Sequence, residues 1–216
     1  MKFVVLSVAV ALVLSQVKGQ NPVWADEAKY GENQDAWESL KADASSPYYM
    51  ILATYTDDPV WGRDFTCLKV QATDVNEAEK SVQAQITYNH EQDASYKTSN
   101  EKIYATFLYD YQKENAITYE TQDGRTFTDV LAYSGGNCDV FYVPPTADLP
   151  SGGYELWVTK AKVKSIPLCC DFMFKYLTLG QATREVYTSD CDIQAGKGKS
   201  TSSIQAKPSD NAGIKV

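Results

Sequence analysis

Residues 126–143 read TFTDVLAY, then SGGN, then CDVFYV, and this stretch is typical of two β-strands joined by a tight turn. The outer segments are rich in aromatic and β-branched residues, which favour extended backbone. The Ser-Gly-Gly-Asn segment between them contains the residue types that turns prefer. Phe127 and Asp129 lie two residues apart, so they share one face of the first strand.

Similar β-rich runs recur on both sides of this hairpin. Together there are eight, separated by turn-like segments: 48–55, 65–73, 81–89, 102–111, 116–121, 126–133, 138–143 and 154–159. Eight consecutive strands with short connections predict an all-β fold, namely an eight-stranded antiparallel up-and-down barrel. Closure of such a barrel removes the sheet edges and leaves room for one small ligand. A two-sheet sandwich of similar strand count is the alternative.

Short helices flank the predicted barrel at both ends of the sequence. Residues 35–44 place Trp37 and Leu40 three apart on one face, which is typical of a helix that packs on a core. Residues 170–179 are predicted to form a C-terminal helix, and Gly180 is placed to end it.

The two ends of the chain differ in composition from the barrel. Lys2 and the apolar run 3–15 are typical of an export signal, because the run is shorter than the roughly 20 residues that span a bilayer. We predict a signal peptide at 1–19, a barrel domain at 20–193 and a disordered tail at 194–216. The protein is then secreted and extracellular; an N-terminal membrane anchor is the alternative.

The charge of the chain limits its partners. Without the signal and its two lysines, 18 basic residues face 28 acidic ones. Such an acidic chain is not expected to bind nucleic acid or an anionic membrane surface. It is compatible with a cationic ligand, although acidity also serves solubility alone.

The sequence offers little for catalysis. His90 is the only histidine and lies in a polar stretch, where we expect it at the tip of a surface loop. The chain has no phosphate-binding glycine loop and no metal-ligand spacing, so we predict neither an enzyme nor a cofactor. Paired carboxylates are abundant, and composition alone leaves a glycosidase open.

Five cysteines are present, and in an exported chain they should pair, leaving one over. The five are Cys67, Cys138, Cys169, Cys170 and Cys191.

Aromatic and acidic residues are mixed within the predicted strands. Glu155 and Trp157 share one strand face, as Phe127 and Asp129 do. Buried carboxylates are costly unless a cation or hydrogen bonds compensate them. If these faces point into the barrel, an ammonium ligand would supply the missing charge and the rings would add cation–π attraction. If they point outward, the acids simply face water.

Several short segments resemble the tick salivary histamine-binding lipocalins in order and spacing. The resemblance runs from about residue 24 to 191, and these segments carry it: DAW 35–37, DPVWG 58–62, FTC 65–67, ENA 114–116, YET 119–121, FTDV 127–130, CDV 138–140 and YELW 154–157.

This resemblance implies a barrel flanked by helices, with two internal amine sites. Twelve residues match the family's ligand positions, in two groups. The first group is Tyr55, Asp58, Trp61, Glu101, Tyr119 and Phe127; the second is Asp43, Tyr48, Asp129, Asp139, Glu155 and Trp157.

The resemblance also implies how the cysteines pair. Cys67 would bond Cys191 and Cys138 would bond Cys170. Cys169 is extra, so the protein would be a monomer or a disulfide dimer through that thiol.

The functional expectation is a secreted lipocalin that binds and sequesters histamine and so suppresses host inflammation. Ile117 stands where an aromatic residue is expected, which makes room for a larger amine such as serotonin. A lipid or eicosanoid carrier is a further alternative, but the acidic residues at the matched positions oppose it. A protein-binding lipocalin without an amine ligand would use its outer loops.

Overall fold

The computed structural model describes residues 21–90, 93, 95–121 and 123–191. The predicted signal peptide and the predicted tail lie outside the described residues. Within the described part of the chain, no helix is long and apolar enough to cross a bilayer.

The strands form one sheet that closes on itself. Their bounds are β1 Tyr48–Ala53, β2 Asp57–Asp58, β3 Gly62–Arg63, β4 Phe65–Asn76, β5 Ser81–His90, β6 Lys97–Thr106, β7 Ala116–Glu120, β8 Thr126–Ser134, β9 Cys138–Val143, β10 Gly153–Thr159 and β11 Arg184–Glu185. From β4 to β10 each strand pairs with the next one in sequence, with β2 and β3 forming a separate small hairpin. β1 pairs antiparallel with both β4 and β10, so the predicted eight-stranded antiparallel barrel is confirmed.

β1 and β4 pair over only a short stretch, and this leaves room for a ninth strand in the sheet. β4 pairs only with the start of β1, at Tyr48 and Tyr49. Further along, β11 takes the free edge of β1, and the backbone N–H of Cys67 donates to the carbonyl of Val186. The strand β11 thus completes the barrel wall beside the part of β1 that β4 does not pair with.

β10 shows how the wall separates inside from outside. Glu155 and Trp157 point into the barrel, while Tyr154, Leu156 and Val158 pack against the C-terminal helix outside. All seven residues of β10 are therefore buried. A strand covered on both faces loses the simple apolar–polar alternation that reveals its orientation.

Three α-helices lie around the barrel in the part of the chain that the structure describes. They are α1 Glu27–Tyr30, α2 Ala36–Ser45 and α3 Leu168–Thr178. In α2, Asp35 caps the first turn by accepting a hydrogen bond from the backbone N–H of Glu38 at 3.0 Å. Trp37 and Leu40 of α2 pack on inward-facing residues of β4 to β7, so α2 lies across one end of the barrel interior.

α3 lies outside the barrel. Phe174 and Leu177 pack on the outer face of β9 and β10. The bond Cys138–Cys170 joins β9 to α3, and Cys67–Cys191 joins β4 to the end of the described chain. These are the two pairs that the resemblance implies, and Cys169 is free and exposed.

Two expectations about local structure were wrong. β6 ends at Thr106 rather than at residue 111, and Tyr109 and Asp110 beyond it adopt left-handed φ angles of 57° and 64°, which exclude a strand there. His90 is the last residue of β5 and not a loop tip, and its side chain is 21% exposed.

The candidate amine-binding cavity

The barrel contains a cavity of about 60 Å³. Nine of the twelve expected ligand residues line it: Asp43, Tyr48, Trp61, Glu101, Tyr119, Asp129, Asp139, Glu155 and Trp157. A second cavity adjoins it through shared Tyr119 and Asp129, and Asp58 and Phe127 line that one. Tyr55 lines neither cavity but hydrogen-bonds two of the acids.

The first acidic cluster consists of Asp58, Glu101, Asp129 and Glu155. Its centre is Glu155, whose Oε1 accepts a hydrogen bond from the Tyr55 hydroxyl and whose Oε2 accepts from the indole N–H of Trp157 at 2.7 Å. The Tyr55 hydroxyl is also 3.3 Å from Oδ2 of Asp58. These contacts bring the segment after β1, the strand β2 and the strand β10 to one point.

Asp58 organises the segment that carries Trp61. Its Oδ1 accepts hydrogen bonds from the backbone N–H groups of Val60 at 2.7 Å and Trp61 at 2.9 Å. This turn places the Trp61 ring against Phe65 inside the barrel, with ring centroids 5.5 Å apart. The Trp61 indole N–H is buried and has no hydrogen-bond partner among the described residues.

The second acidic cluster consists of Asp43 and Asp139. Asp43 comes from α2 and Asp139 from β9, where it lies opposite Trp157 in the register. Oδ2 of Asp139 accepts a hydrogen bond from the Ser39 hydroxyl at 2.7 Å, while its buried Oδ1 has no partner in the described part of the protein.

Burial raises the pKa of all six acids, because charge is poorly solvated inside the barrel. Desolvation raises the pKa of Asp139 to about 6 and that of Glu155 to about 7. The pKa values of Asp43 and Asp129 rise well above the ordinary range, first through desolvation and then through a neighbouring carboxylate. Desolvation likewise raises the pKa values of Asp58 and Glu101.

No positive side chain of the described residues balances these acids from inside the barrel. Among the described residues that line the two cavities, none is lysine, arginine or histidine. Arg184 interacts with two of these acids from the barrel wall, where it stacks over the ring of Phe65 at 4.1 Å and donates to the backbone carbonyl of Tyr55 at 2.7 Å. Its charge lowers the pKa values of Asp58 and Glu155 only as a lesser contribution.

The structure groups the twelve residues differently from the expected division. Asp129 and Glu155 were assigned to the site of Asp43, yet each interacts electrostatically with Asp58 of the other group. The electrostatic neighbour that the structure gives Asp43 is Asp139.

The sequence did not single out several lining residues. Ser39 is one turn before Asp43 on α2, and this spacing could have revealed it as a partner on the same helix face. Phe141, Ile86 and Ile103 also line the cavity, but isolated apolar strand residues carry no signal that separates a ligand wall from a core.

A closed eight-stranded barrel with a helix across one end and a lined interior cavity defines a lipocalin-type ligand-binding protein. Solved lipocalin structures resemble it in fold. Apocrustacyanin C2 has a TM-score of 0.53 at 10% identity, covering 81% of this chain and 92% of that one. The AM182 serotonin complex has a TM-score of 0.53 at 20% identity, covering 72% and 91%.

Sequence comparison gives the family. The profile described as tick histamine binding protein matches residues 24–193. Female-specific histamine-binding protein 1 of Rhipicephalus appendiculatus is 47% identical over 186 residues, covering 86% of this chain and 96% of that protein. The male-specific histamine-binding salivary protein of the same tick is 43% identical over 193 residues, covering 87% and 96%. The chain belongs to the tick histamine-binding protein family, whose members are ligand-binding lipocalins and not enzymes.

Proposed function

We propose that this protein binds histamine inside the barrel and sequesters it. The observation that carries the proposal is the set of six buried carboxylates in cavities whose described lining residues include no cation. Charges buried in this way are costly unless a counter-charge or hydrogen bonds compensate them. A cationic ligand supplies that counter-charge and is held by it.

The two acidic clusters fit the chemistry of a small diamine. Histamine carries an ammonium group at one end and an imidazole, which can be protonated, at the other. Each charge-assisted hydrogen bond to a carboxylate contributes roughly 1.5–3 kcal/mol, and each aromatic face about 1 kcal/mol more. Micromolar affinity requires about 8 kcal/mol, so a preformed pocket of this kind suffices.

The relatives support the same ligand and the place of action. Both are named for histamine binding, and one is named a salivary protein. Together with the export signal predicted from the sequence, this supports secretion into saliva, where sequestering host histamine would suppress inflammation.

Serotonin is the second candidate, because Ile117 lines the cavity opposite Asp129 in the strand register. A branched aliphatic side chain fills less space than a ring and leaves room for an indole. A fatty acid is disfavoured, because its carboxylate would enter a cavity that is already acidic.

Titration calorimetry with histamine, serotonin and a fatty acid tests the proposal. We expect micromolar or tighter binding of histamine and no heat from the fatty acid. The absence of heat at millimolar histamine would refute the proposed function, whereas tighter binding of serotonin would change only the preferred amine.

A further inference from the structure

The barrel wall has an opening between β8 and the segment that follows β9. β9 pairs with β8 from Val130 onward, where Val130 lies opposite Tyr142. The four preceding residues of β8, 126–129, pair with β7 on one side. On the β9 side they have no strand partner in the part of the chain that the structure describes. These four residues therefore form a free strand edge in the barrel wall.

The second cavity passes through this opening. It has a volume of about 280 Å³, and all four residues of 126–129 line it, with Pro144 and Thr146 on the opposite side. Successive side chains of a strand point to opposite faces, so a cavity that contacts all four extends around the strand edge. Tyr119 lines it from the inside, whereas Leu108, which packs with residues outside the barrel, lines it from the outside. The cavity thus joins the outer surface to the barrel interior.

The first acidic cluster needs such a path to solvent. Glu155 is only 2% exposed and Asp129 only 5%, so an amine in solution does not reach them directly. At one end of the barrel interior, α2 covers the way in. Asp129 lines both cavities, so the second cavity leads to the cluster.

We propose that the amine enters and leaves the barrel through this side opening, defined as residues 126–129 of β8 together with Pro144 and Thr146. The inference rests on the proposed function, because it concerns the path by which an amine reaches the first acidic cluster. An amine that entered over the rim of the barrel would not pass the outer side of β8.

The lining of the side opening suits an ammonium group. Three of its residues are threonines, namely Thr126, Thr128 and Thr146, and their hydroxyl oxygens can accept hydrogen bonds from a passing cation. None of the described residues that line the second cavity is lysine, arginine or histidine. Asp58 and Asp129 lie at its inner end, where their negative charge attracts a cation inward.

Thr128 is the residue at which the path can be blocked without touching the acids. Asp129 lines the inner cavity, so its neighbour Thr128 points to the outer face of β8. Thr118 provides a matched control, because it lies opposite Thr128 in the register and its hydroxyl is 2.9 Å from that of Thr128. Both residues are half-buried strand threonines, but Thr118 lines neither cavity.

The first experiment measures how fast histamine exchanges. Dissociation of radiolabelled histamine is followed after adding excess unlabelled histamine, association is followed over time, and calorimetry gives Kd. We expect Thr128→Phe to slow both association and dissociation at least fivefold and to keep Kd within twofold, because an obstructed path delays both directions equally. Thr118→Phe should exchange at the parent rates.

A second block from the opposite side of the side opening guards against a folding defect. Thr146→Phe should slow exchange as Thr128→Phe does, and thermal melts identify any variant that does not fold. Parent exchange rates in a folded Thr128→Phe or Thr146→Phe would overturn the proposal. A change in Kd that accounts for the slower exchange would also overturn it, because the residue would then act on the site and not on the path.

The second experiment does not require histamine to bind. In a Cys169→Ser background, which removes the free exposed thiol, Ile117→Cys places a thiol in the lining of the inner cavity. The probe is 2-aminoethyl methanethiosulfonate, a small ammonium reagent that labels thiols, and mass spectrometry gives the labelling rate. Adding Thr128→Phe should slow labelling at least fivefold, and adding Thr118→Phe should not.

The labelling result separates this inference from the proposed function. A thiol at residue 117 that is labelled equally fast in all three proteins, or in none of them, would overturn the side opening as the path. The absence of heat from histamine in the parent would instead refute the proposed function, while the labelling rates would still decide whether a small ammonium compound passes Thr128.

Discussion

Tyr55 and Asp58 show how single residues make the candidate site. The Tyr55 hydroxyl joins Asp58 to Glu155, which are nearly a hundred residues apart in sequence. Gly153 makes this possible, because a Cβ at that position would overlap the Tyr55 ring. The geometry of the first acidic cluster thus depends on a residue that carries no charge.

Removing one carboxylate from the first acidic cluster should weaken amine binding. Asp58→Asn and Glu155→Gln should each cost on the order of 1.5–3 kcal/mol of histamine affinity, about ten- to a hundredfold, by calorimetry. The fold should persist in thermal melts, because the raised pKa values of these acids show that their charge opposes burial.

Exposed neighbours provide matched controls for these two variants. Asp57→Asn alters the residue next to Asp58, and Glu120→Gln alters an outward-facing strand residue. Both controls should bind histamine as the parent does. If Asp58→Asn and Glu155→Gln also bind as tightly as the parent, the acids do not hold the amine.

At the level of elements, the segment between β1 and β4 is held from two sides. Oδ1 of Asp58 accepts hydrogen bonds from backbone N–H groups of this segment. On the other side, Nε2 of His90, at the end of β5, lies 2.8 Å from the backbone carbonyl oxygen of Trp61. Since a carbonyl only accepts, Nε2 of His90 carries the proton. Nδ1 lies 3.2 Å from both the Lys97 ammonium and Oδ2 of Asp93.

His90 should therefore act as a positioning residue for Trp61. His90→Ala removes a hydrogen bond worth about 1 kcal/mol and should lower histamine affinity several-fold. His90→Gln retains an N–H donor and should recover most of the loss. Calorimetry together with tryptophan fluorescence would measure both effects; unchanged fluorescence and affinity in His90→Ala would contradict this role.

The disulfide between β9 and α3 should stabilise the fold without affecting the cavity. The bond closes a separation of 32 residues, and its loss in Cys138→Ala/Cys170→Ala should cost about 2–4 kcal/mol in the free energy of unfolding. Histamine affinity should persist, because Cys138 and Cys170 pack outside the barrel. Denaturant titration measures the loss, with Cys169→Ala as the control that should unfold like the parent.

At the scale of the whole molecule, the barrel combines a cavity that disfavours charge with six acids inside it. The pKa of Asp139 rises from 3.8 to about 6 and that of Glu155 from 4.5 to about 7. Between the ordinary and raised pKa values the folded chain binds more protons than the unfolded chain. The contribution of Asp139 and Glu155 to the free energy of unfolding is therefore full at low pH and decreases as pH rises from about 4 to about 7.

This linkage predicts opposite pH trends for the empty and the occupied protein. The melting temperature without ligand should be higher at pH 5.5 than at pH 7.5. The increase in melting temperature on adding histamine should be larger at pH 7.5, because ionised carboxylates hold the amine. Asp139→Asn/Glu155→Gln should flatten both trends, and a parent whose histamine response is stronger in acid would contradict the assignment of these acids.

The sequence by itself predicted the eight strands of the barrel wall and the helices α2 and α3, and it favoured a closed antiparallel barrel over a two-sheet sandwich. It did so because strand composition and turn residues are local properties, visible in stretches such as 126–143. The family resemblance added the cysteine pairs and the twelve cavity candidates, since order and spacing along the chain persist among relatives.

Only the tertiary structure decided which faces are inside and which acids are neighbours. All of β10 is buried because α3 covers its outer face, so no alternation in the sequence distinguishes Glu155 from Leu156. Likewise, Asp129 lies near Asp58 only because the barrel closes and brings distant strands together. The electrostatics of the cavity arise from this long-range juxtaposition, which local sequence patterns do not encode.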